Sequence, residues 1–499
     1  MDTTQARRHA VVIGAGFGGL AAAIRLLARG YAVTVVDRLD GPGGRGYAFE
    51  QDGFRFDSGP TIITAPELFE ELWALGGRRL RDDLDLRPLD PFYAVRFDDG
   101  DVFNATADIA ATRREVARIA PDDVAGFDHF MADSKAIFDV AYTQLAAKPF
   151  HKISTMLAAL PDIIRLGGYR SVYAKAARFI RNEKLRVAFS FHPMFVGGHP
   201  FSTTSYYGLI SYLERLSGVH FAMGGTGAVV AGMAHLIEGM GGIFHYKADV
   251  EQITVQDGRA TGVRLAGGER IAADIVISNA DAAFTYKHLL SETKRRWWSD
   301  SRLKLSSYST GLFIWYFGTN RRYEDVPHHT IMMGPRYKGL LDDIFGKKIL
   351  AEDFSLYLYR PTATDPSMAP DGCDSFYVLS PVPHLGGRVD WTVEAEPYRA
   401  KIQRKLEETV LPGLGEAIAT SRVVTPIDFR DRLKSVNGAG FSLAPQITQV
   451  AWFRPHNLSE DVKNLFLVGA GTHPGAGVPA VLCSAKILDE IVPDPAMLL

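Results

Sequence analysis

Ala10-Val11-Val12-Ile13-Gly14-Ala15-Gly16-Phe17-Gly18-Gly19-Leu20 is the stretch on which the fold turns. Ala10–Ile13 is an apolar run of strand character, and the glycines after it turn the backbone. Leu20–Ala28 is rich in helix formers, and Gly30 ends it. Tyr31–Val36 is again apolar and β-branched, and Asp37 closes it. Gly14, Gly16 and Gly19 fit G-x-G-x-x-G, a weak signal by itself in a chain with 48 glycines. The strand before, the helix after, and an acid 18 residues beyond Gly19 supply the context that a dinucleotide-binding unit requires. Gly14 permits the tight turn, Gly16 lets the backbone approach a pyrophosphate, and Gly19 lets the helix pack on the strand. The helix N-terminus faces the negative charge, and Asp37 would accept hydrogen bonds from an adenosine ribose.

Two further glycine clusters lie far away in sequence. Gly43-Gly44-Arg45 is followed by Phe56-Asp57-Ser58-Gly59-Pro60-Thr61. Arg45 suits a second hold on a pyrophosphate, because a guanidinium fork matches phosphate geometry. Gly44, Gly59, Pro60 and Thr61 are cofactor-binding candidates with it. The third cluster runs from Gly469 to Pro479 and again joins a strand to a helix. Pro479 suits a first helical turn, where its missing N–H costs nothing. The backbone of Gly469, Gly471, Thr472, Gly477 and Val478 could meet the ribityl chain and pyrimidine edge of a flavin. A helix start there would stabilise negative charge on the reduced ring. His473 is a weak candidate for a catalytic base; between a threonine and a proline in a turn, such a histidine is more often structural. Gly224-Gly225-Thr226-Gly227 mimics the fingerprint, but Val230 stands where the third glycine belongs. One dinucleotide site with a flavin-like C-terminal turn favours FAD.

Composition narrows the class. The chain has 499 residues, 46% hydrophobic and 22% charged, which excludes a disordered chain, a coiled coil and a collagen-like fibre. Fifty-five Lys and Arg balance 57 Asp and Glu to a net charge of −2, which speaks against a nucleic-acid partner. Two cysteines, Cys373 and Cys483, fit a reducing, cytoplasmic compartment and no metal site. No signal peptide is evident. Val187–Leu213 and Asn464–Ala485 lack Asp, Glu, Lys and Arg, yet their prolines, histidines and glycines argue against membrane spans. Residues 110–186 read as helical. Within Lys148–Arg186, nine Lys/Arg face two acids, which fits docking on anionic lipid or a solvated helical face. Residues 305–318 and 354–360 read as aromatic strands, 396–411 as a helix, 465–468 as the last strand and 479–491 as the last helix. No Ser/His/Asp set, metal-ligand cluster or carboxylate pair stands out.

With these clusters in order, the chain resembles the bacterial CrtI-type phytoene desaturases, carotenoid desaturases of the flavin amine-oxidase-like superfamily. The string Asn464-Leu465-Phe466-Leu467-Val468-Gly469-Ala470-Gly471-Thr472-His473-Pro474-Gly475-Ala476-Gly477-Val478, followed by Ser484, carries most of the resemblance. Ser190-Phe191-His192-Pro193, Val196-Gly197-Gly198, His328-His329-Thr330, Pro335-Arg336-Tyr337, Ser380-Pro381-Val382-Pro383-His384-Leu385 and Ala451-Trp452-Phe453-Arg454-Pro455-His456-Asn457 add to it. Pro479-Ala480 stands where relatives often carry Pro-Gly, and Asp37 where Glu is commoner; the shorter acid would reach a ribose with looser geometry.

The resemblance implies an α/β (mixed α+β) fold. A Rossmann-like FAD-binding domain (1–80, 216–282, 436–499) would interleave with a β-sheet substrate domain (81–110, 283–435) and a helical membrane-associating subdomain (111–215). It implies an FAD-dependent enzyme held on the inner face of the cell membrane. That enzyme would desaturate phytoene through phytofluene and ζ-carotene to neurosporene or lycopene, with oxygen or a quinone as electron acceptor. It implies that the backbone of Val250 meets the adenine. A hydrocarbon substrate must be bound by apolar burial. Residues 311–317 and 354–359, and seven Phe/Tyr within Val187–Leu213, could line its tunnel or be ordinary core. Another carotenoid substrate, an amine or protoporphyrinogen oxidase, and a redox-inactive isoprenoid-binding protein are the alternatives. The proton acceptor and oligomeric state stay open.

Overall fold

The computed structural model describes residues 7–498. Strand His9–Ile13 is central to a five-stranded parallel sheet. Ile275–Ser278 and then Leu465–Leu467 lie on one side of it, Ala32–Val36 and then Ile243–His245 on the other. Three distant regions of the chain thus build one sheet. Ala10, Val11 and Val12 have no exposed surface, as expected of a strand covered on both faces. Helix Phe17–Ala28 packs directly after the turn. Gly19 is required there, because a Cβ would fall on the carbonyl of Gly14. The helix starts three residues before the expected Leu20, since Gly16 takes the N-cap position in extended conformation.

A second, seven-stranded sheet stands beside the first. Its order is Ile418–Val424, Gly311–Thr319, Asp374–Val382, Leu356–Tyr359, His329–Met332, Tyr93–Arg96, Val102–Ala105. All pairs are antiparallel except His329–Met332 with Tyr93–Arg96. The expected strand 305–318 shrinks to Gly311–Thr319, because Ser299 caps a short helix over Asp300–Leu305. The expected helix 396–411 runs instead over Trp391–Thr409, with the Asp390 carboxylate accepting from Thr392 N–H at its start. Pro397 sits inside it and leaves the carbonyl of the exposed Val393 to water. The last helix divides into Val478–Lys486 and Leu488–Ile491.

The third part is helical, with Ile109–Ile119, Val124–Val140 and Ile153–Arg165 its longest elements. Among the described residues no helix is long and apolar enough to cross a membrane. Val187–Leu213 breaks into short helical turns, and Asn464–Ala485 into a strand, a turn and part of a helix. The positive excess of Lys148–Arg186 is smaller in space than in sequence. Lys175 is buried against Asp133, Lys184 meets Asp99 and Asp101, Arg165 meets Asp162, and Arg186 meets Glu183.

Candidate functional site

One cavity of about 960 Å³ runs from the parallel sheet to the helical part. That is near the upper end of the roughly 300–1,000 Å³ typical of small-molecule sites. Its two ends differ in chemistry.

At the sheet end the wall contains Gly14, Gly16, Asp37 and Val250, and across from them Gly44, Arg45, Gly59, Pro60 and Thr61. Gly469, His473, Gly477, Val478 and Pro479 close it. Three glycine clusters thus meet at one surface. Gly14 has φ +92°, a conformation that favours glycine. The loops are sewn together by Gly43 N–H donating to the Ala15 carbonyl at 2.8 Å. Gly59 makes room for the backbone of Arg45, where a Cβ would collide with its carbonyl. Two helices begin at this wall, Phe17–Ala28 and Val478–Lys486. Neither has a side-chain cap or an acid in its first turn. Their free N–H groups and dipoles favour an anion.

Asp37 is buried, and its carboxylate accepts from Ala15 N–H at 2.7 Å and Leu39 N–H at 2.8 Å. Burial raises its pKa against the pull of those two bonds. Backbone N–H groups thus hold both oxygens of the carboxylate in place. Arg45 donates from Nε to the Gly440 carbonyl at 2.8 Å and from Nη2 to Ser435 Oγ at 2.7 Å. Among the described residues no carboxylate lies within 4 Å of it. Desolvation lowers its pKa, with Asp281 acting against that from a distance. A guanidinium so placed could pair with an anionic ligand.

Gly19, Gly471 and Thr472 stand behind the wall rather than in it. The Thr472 hydroxyl donates to the Pro455 carbonyl at 2.6 Å, and Gly471 packs against Ala282. His473 is buried, neither ring nitrogen has a hydrogen-bond partner, and the ring centroid lies 4.6 Å from that of Phe150. Burial pushes its pKa down to about 3, which makes it a poor proton acceptor near neutrality.

Sequence reasoning missed Asn279 and Asp281, which follow strand Ile275–Ser278 and line the same wall. Asn279 Nδ2 donates to the Gly14 carbonyl at 3.3 Å. Asp281 uses Oδ1 to accept from Ala283 and Phe284 N–H, while its buried Oδ2 has no partner. The available signal was their place at the carboxyl end of a parallel strand beside the first.

The other end is apolar. Met156, Ile163 and Ile164 of helix Ile153–Arg165 line it, as do Leu209, Ile210 and Leu213. Phe191, Phe195, Tyr206 and Tyr207 line it too, four of the seven aromatics in Val187–Leu213. From the large sheet come Leu312, Ile314 and Tyr316, whereas Phe313, Trp315 and Phe317 point to the opposite face and pack under helix Trp391–Thr409. The aromatic strand is thus half cavity wall and half core, as the two-residue period of a strand dictates. Two hydrogen-bonded groups stand in this apolar region. The Thr61 hydroxyl meets Tyr357 OH at 2.7 Å, and Tyr357 OH meets His329 Nδ1 at 2.7 Å. Glu214 pairs with Tyr93 and His192.

Comparison with known proteins agrees with this arrangement. Residues 17–487 match the family described as flavin containing amine oxidoreductase. A phytoene desaturase (neurosporene-forming) of Cereibacter sphaeroides is 52% identical over 491 residues, covering 97% of this chain and 95% of the relative. A phytoene desaturase (lycopene-forming) of Pantoea ananas is 47% identical over 476 residues, covering 95% and 97%. Among solved structures, an oxidoreductase from Methanosarcina mazei superposes with TM-score 0.64 at 18% identity, covering 97% of this chain and all of the other. Putrescine oxidase bound to putrescine superposes with TM-score 0.60 at 14% identity, covering 98% and 99%. These two likenesses concern the fold alone. A polar, glycine-built end joined to an apolar chamber, and near-full-length identity to several desaturases, lead to one placement: the chain belongs to the flavin containing amine oxidoreductases and, within them, to the phytoene desaturase family.

Proposed function

We propose that this protein is an FAD-dependent phytoene desaturase, converting phytoene stepwise through phytofluene and ζ-carotene to neurosporene or lycopene. The observation that carries the reading is the continuity of one cavity from a glycine-built wall with two helix starts and Arg45 to a chamber of aliphatic and aromatic side chains. The residues fit FAD. The uncapped start of helix Phe17–Ala28 and Arg45 would hold the pyrophosphate, Asp37 the ribose, and the Val250 backbone the adenine. Asp281, with a buried acceptor free, suits a ligand hydroxyl. The Gly469–Pro479 turn would face the ring system. When bound, the flavin supplies two-electron oxidation of a C–H bond.

The chain's own residues do the rest. The apolar wall binds a hydrocarbon by burial, at about 25 cal/mol per Å², and excludes water from the reacting carbons. Helix Ile153–Arg165 turns Met156 and Ile163 to the cavity, while Leu157 stays 60% exposed on the other side and Ile164 borders the cavity yet is 60% exposed. A helix with exposed apolar residues beside a polar edge of Asp162 and Arg165 suits the surface of a bilayer in which the substrate dissolves. Lys148, Lys152 and Arg170 nearby, which form no ion pair among the described residues, favour anionic lipid. The reading therefore includes peripheral attachment to the inner face of the cell membrane and oxygen or a quinone as oxidant. Its division of labour is an FAD-binding part (1–80, 216–282, 436–499), a substrate part (81–110, 283–435) and a membrane part (111–215).

Expression in a host that accumulates phytoene tests it. The purified protein should be yellow, and chromatography should show conjugated carotenoids. Unchanged phytoene beside folded, flavin-loaded protein overturns the reading.

A further inference from the structure

Glu214 lies on helix Leu209–Ser217, is 1% exposed, and borders the apolar half of the cavity. Its Oε1 accepts from the Tyr93 hydroxyl at 2.8 Å, and its Oε2 faces Nε2 of His192 at 3.2 Å. Arg215 beside it is also buried, but donates to the Ser211 carbonyl and lies over the rings of Phe92 and Phe189. A buried carboxylate costs several kcal/mol unless its surroundings compensate. A hydrocarbon ligand offers it no hydrogen bond in return.

Four other acids border the cavity, and each has a duty elsewhere. Asp37 holds the glycine turn, and Asp249 pairs with Arg38 and Lys434. Asp281 caps a helix through Oδ1 and leaves Oδ2 to the glycine-built end of the cavity, beside Asn279, and Asp428 closes a capping box with Thr425. Glu214 is the acid that stands among Phe191, Phe195 and Leu213 in the chamber wall. Tyr93, which holds it, packs against both of those phenylalanine rings.

We propose that Glu214 is the catalytic base that takes the proton lost by the substrate in each desaturation. The inference rests on the desaturase reading above. One C–H bond of the saturated pair leaves with both electrons, as hydride, to the oxidised flavin of the family's chemistry. The neighbouring carbon gives its proton to the Glu214 carboxylate, and the electron pair of that C–H bond becomes the new C=C bond. The product gains one double bond, the flavin two electrons and a hydrogen, and Glu214 one proton. Tyr93 and His192 are positioning residues that fix the carboxylate's direction. The same negative charge would stabilise the allylic cation that forms if hydride departs first.

The test uses the flavin-loaded protein with phytoene in liposomes, following flavin bleaching without oxygen. Glu214→Gln keeps the size and can still hydrogen-bond to Tyr93 and His192. Its bleaching rate should fall by about 100-fold or more, the usual worth of a general base. Flavin content and unfolding temperature should stay those of the wild type. With phytoene deuterated at the proton-losing carbon, the isotope effect should rise, because that step becomes the slow one. Glu214→Asp, which withdraws the carboxylate by one methylene, should be slowed about 10-fold or more and keep its flavin. This variant answers the question if the glutamine form does not fold. A rate within threefold of wild type in either folded variant, or an unchanged isotope effect in a slowed one, overturns the proposal. A wild type that leaves phytoene unbleached refutes the desaturase reading instead.

Discussion

Arg45 brings a positive charge to the cavity with only neutral oxygens as partners. Hydrogen bonds from a charged group are worth roughly 1.5–3 kcal/mol each. Arg45→Ala should therefore weaken flavin binding by about 10- to 100-fold, read from the quenching of flavin fluorescence on titration; Arg45→Lys should recover part of it. Gly59→Ala should act on the same site indirectly. Its methyl would displace the Arg45 backbone, so flavin occupancy and melting temperature should both fall. That Gly14, Gly16 and Arg45 belong to one candidate site was readable from sequence, because a phosphate-binding turn would demand small residues and a cation at set places. Glu214 was not. Its partners stand 121 and 22 residues away, and only the folded chain brings them together.

Elements were legible to the extent that their periods and compositions were. The continuous aromatic strand Gly311–Thr319 and the helix after the first turn could be read directly from their composition. Their boundaries could not, because caps such as Gly16, Ser299 and Asp390 act through local geometry. The basic run Lys148–Arg186 shows the limit from the other side. Counting charges cannot reveal that Asp99, Asp101 and Asp133 fold back onto it. What remains exposed is the apolar side of Ile153–Arg165. Leu157→Asp together with Ile153→Asp should abolish sedimentation with anionic liposomes. Flavin content should be unchanged, since Leu157 is 60% and Ile153 49% exposed and neither borders the cavity. Raising salt should weaken binding of the wild type only in part, as screening acts on the lysines and arginines and not on buried apolar area.

Across the whole molecule, buried histidines set the acid limit of stability. His473 and His328 have pKa values pushed down to about 3, and His384 to about 4, each chiefly by desolvation. The unfolded chain binds protons at these positions from about pH 6.5 downward, while the folded chain resists. Folding stability should therefore fall as pH drops from 6.5 toward 4 and level off above about 7. The full slope is about 1.4 kcal/mol per pH unit for each proton bound on unfolding. Asp37 and Asp57, whose pKa values are raised by burial, act in the opposite sense. The clean measurement is thus the difference between wild type and His473→Gln in urea midpoint against pH, which should show a shallower acid decline in the variant. At this scale the sequence already announced three glycine clusters and their order. That one parallel sheet gathers them follows from pairings between residues hundreds of positions apart.

Helix Ile153–Arg165, with one side in the cavity and the other on the surface, also bears on how turnover should be counted. A substrate that passes from bilayer to chamber beside this helix never enters water, so its molarity in the suspension has no direct meaning for the enzyme. The governing variable is its mole fraction among the lipids. With the enzyme already bound to phytoene-bearing vesicles, adding lipid to those vesicles at fixed phytoene should slow the rate, whereas adding water volume at fixed vesicle composition should leave it unchanged.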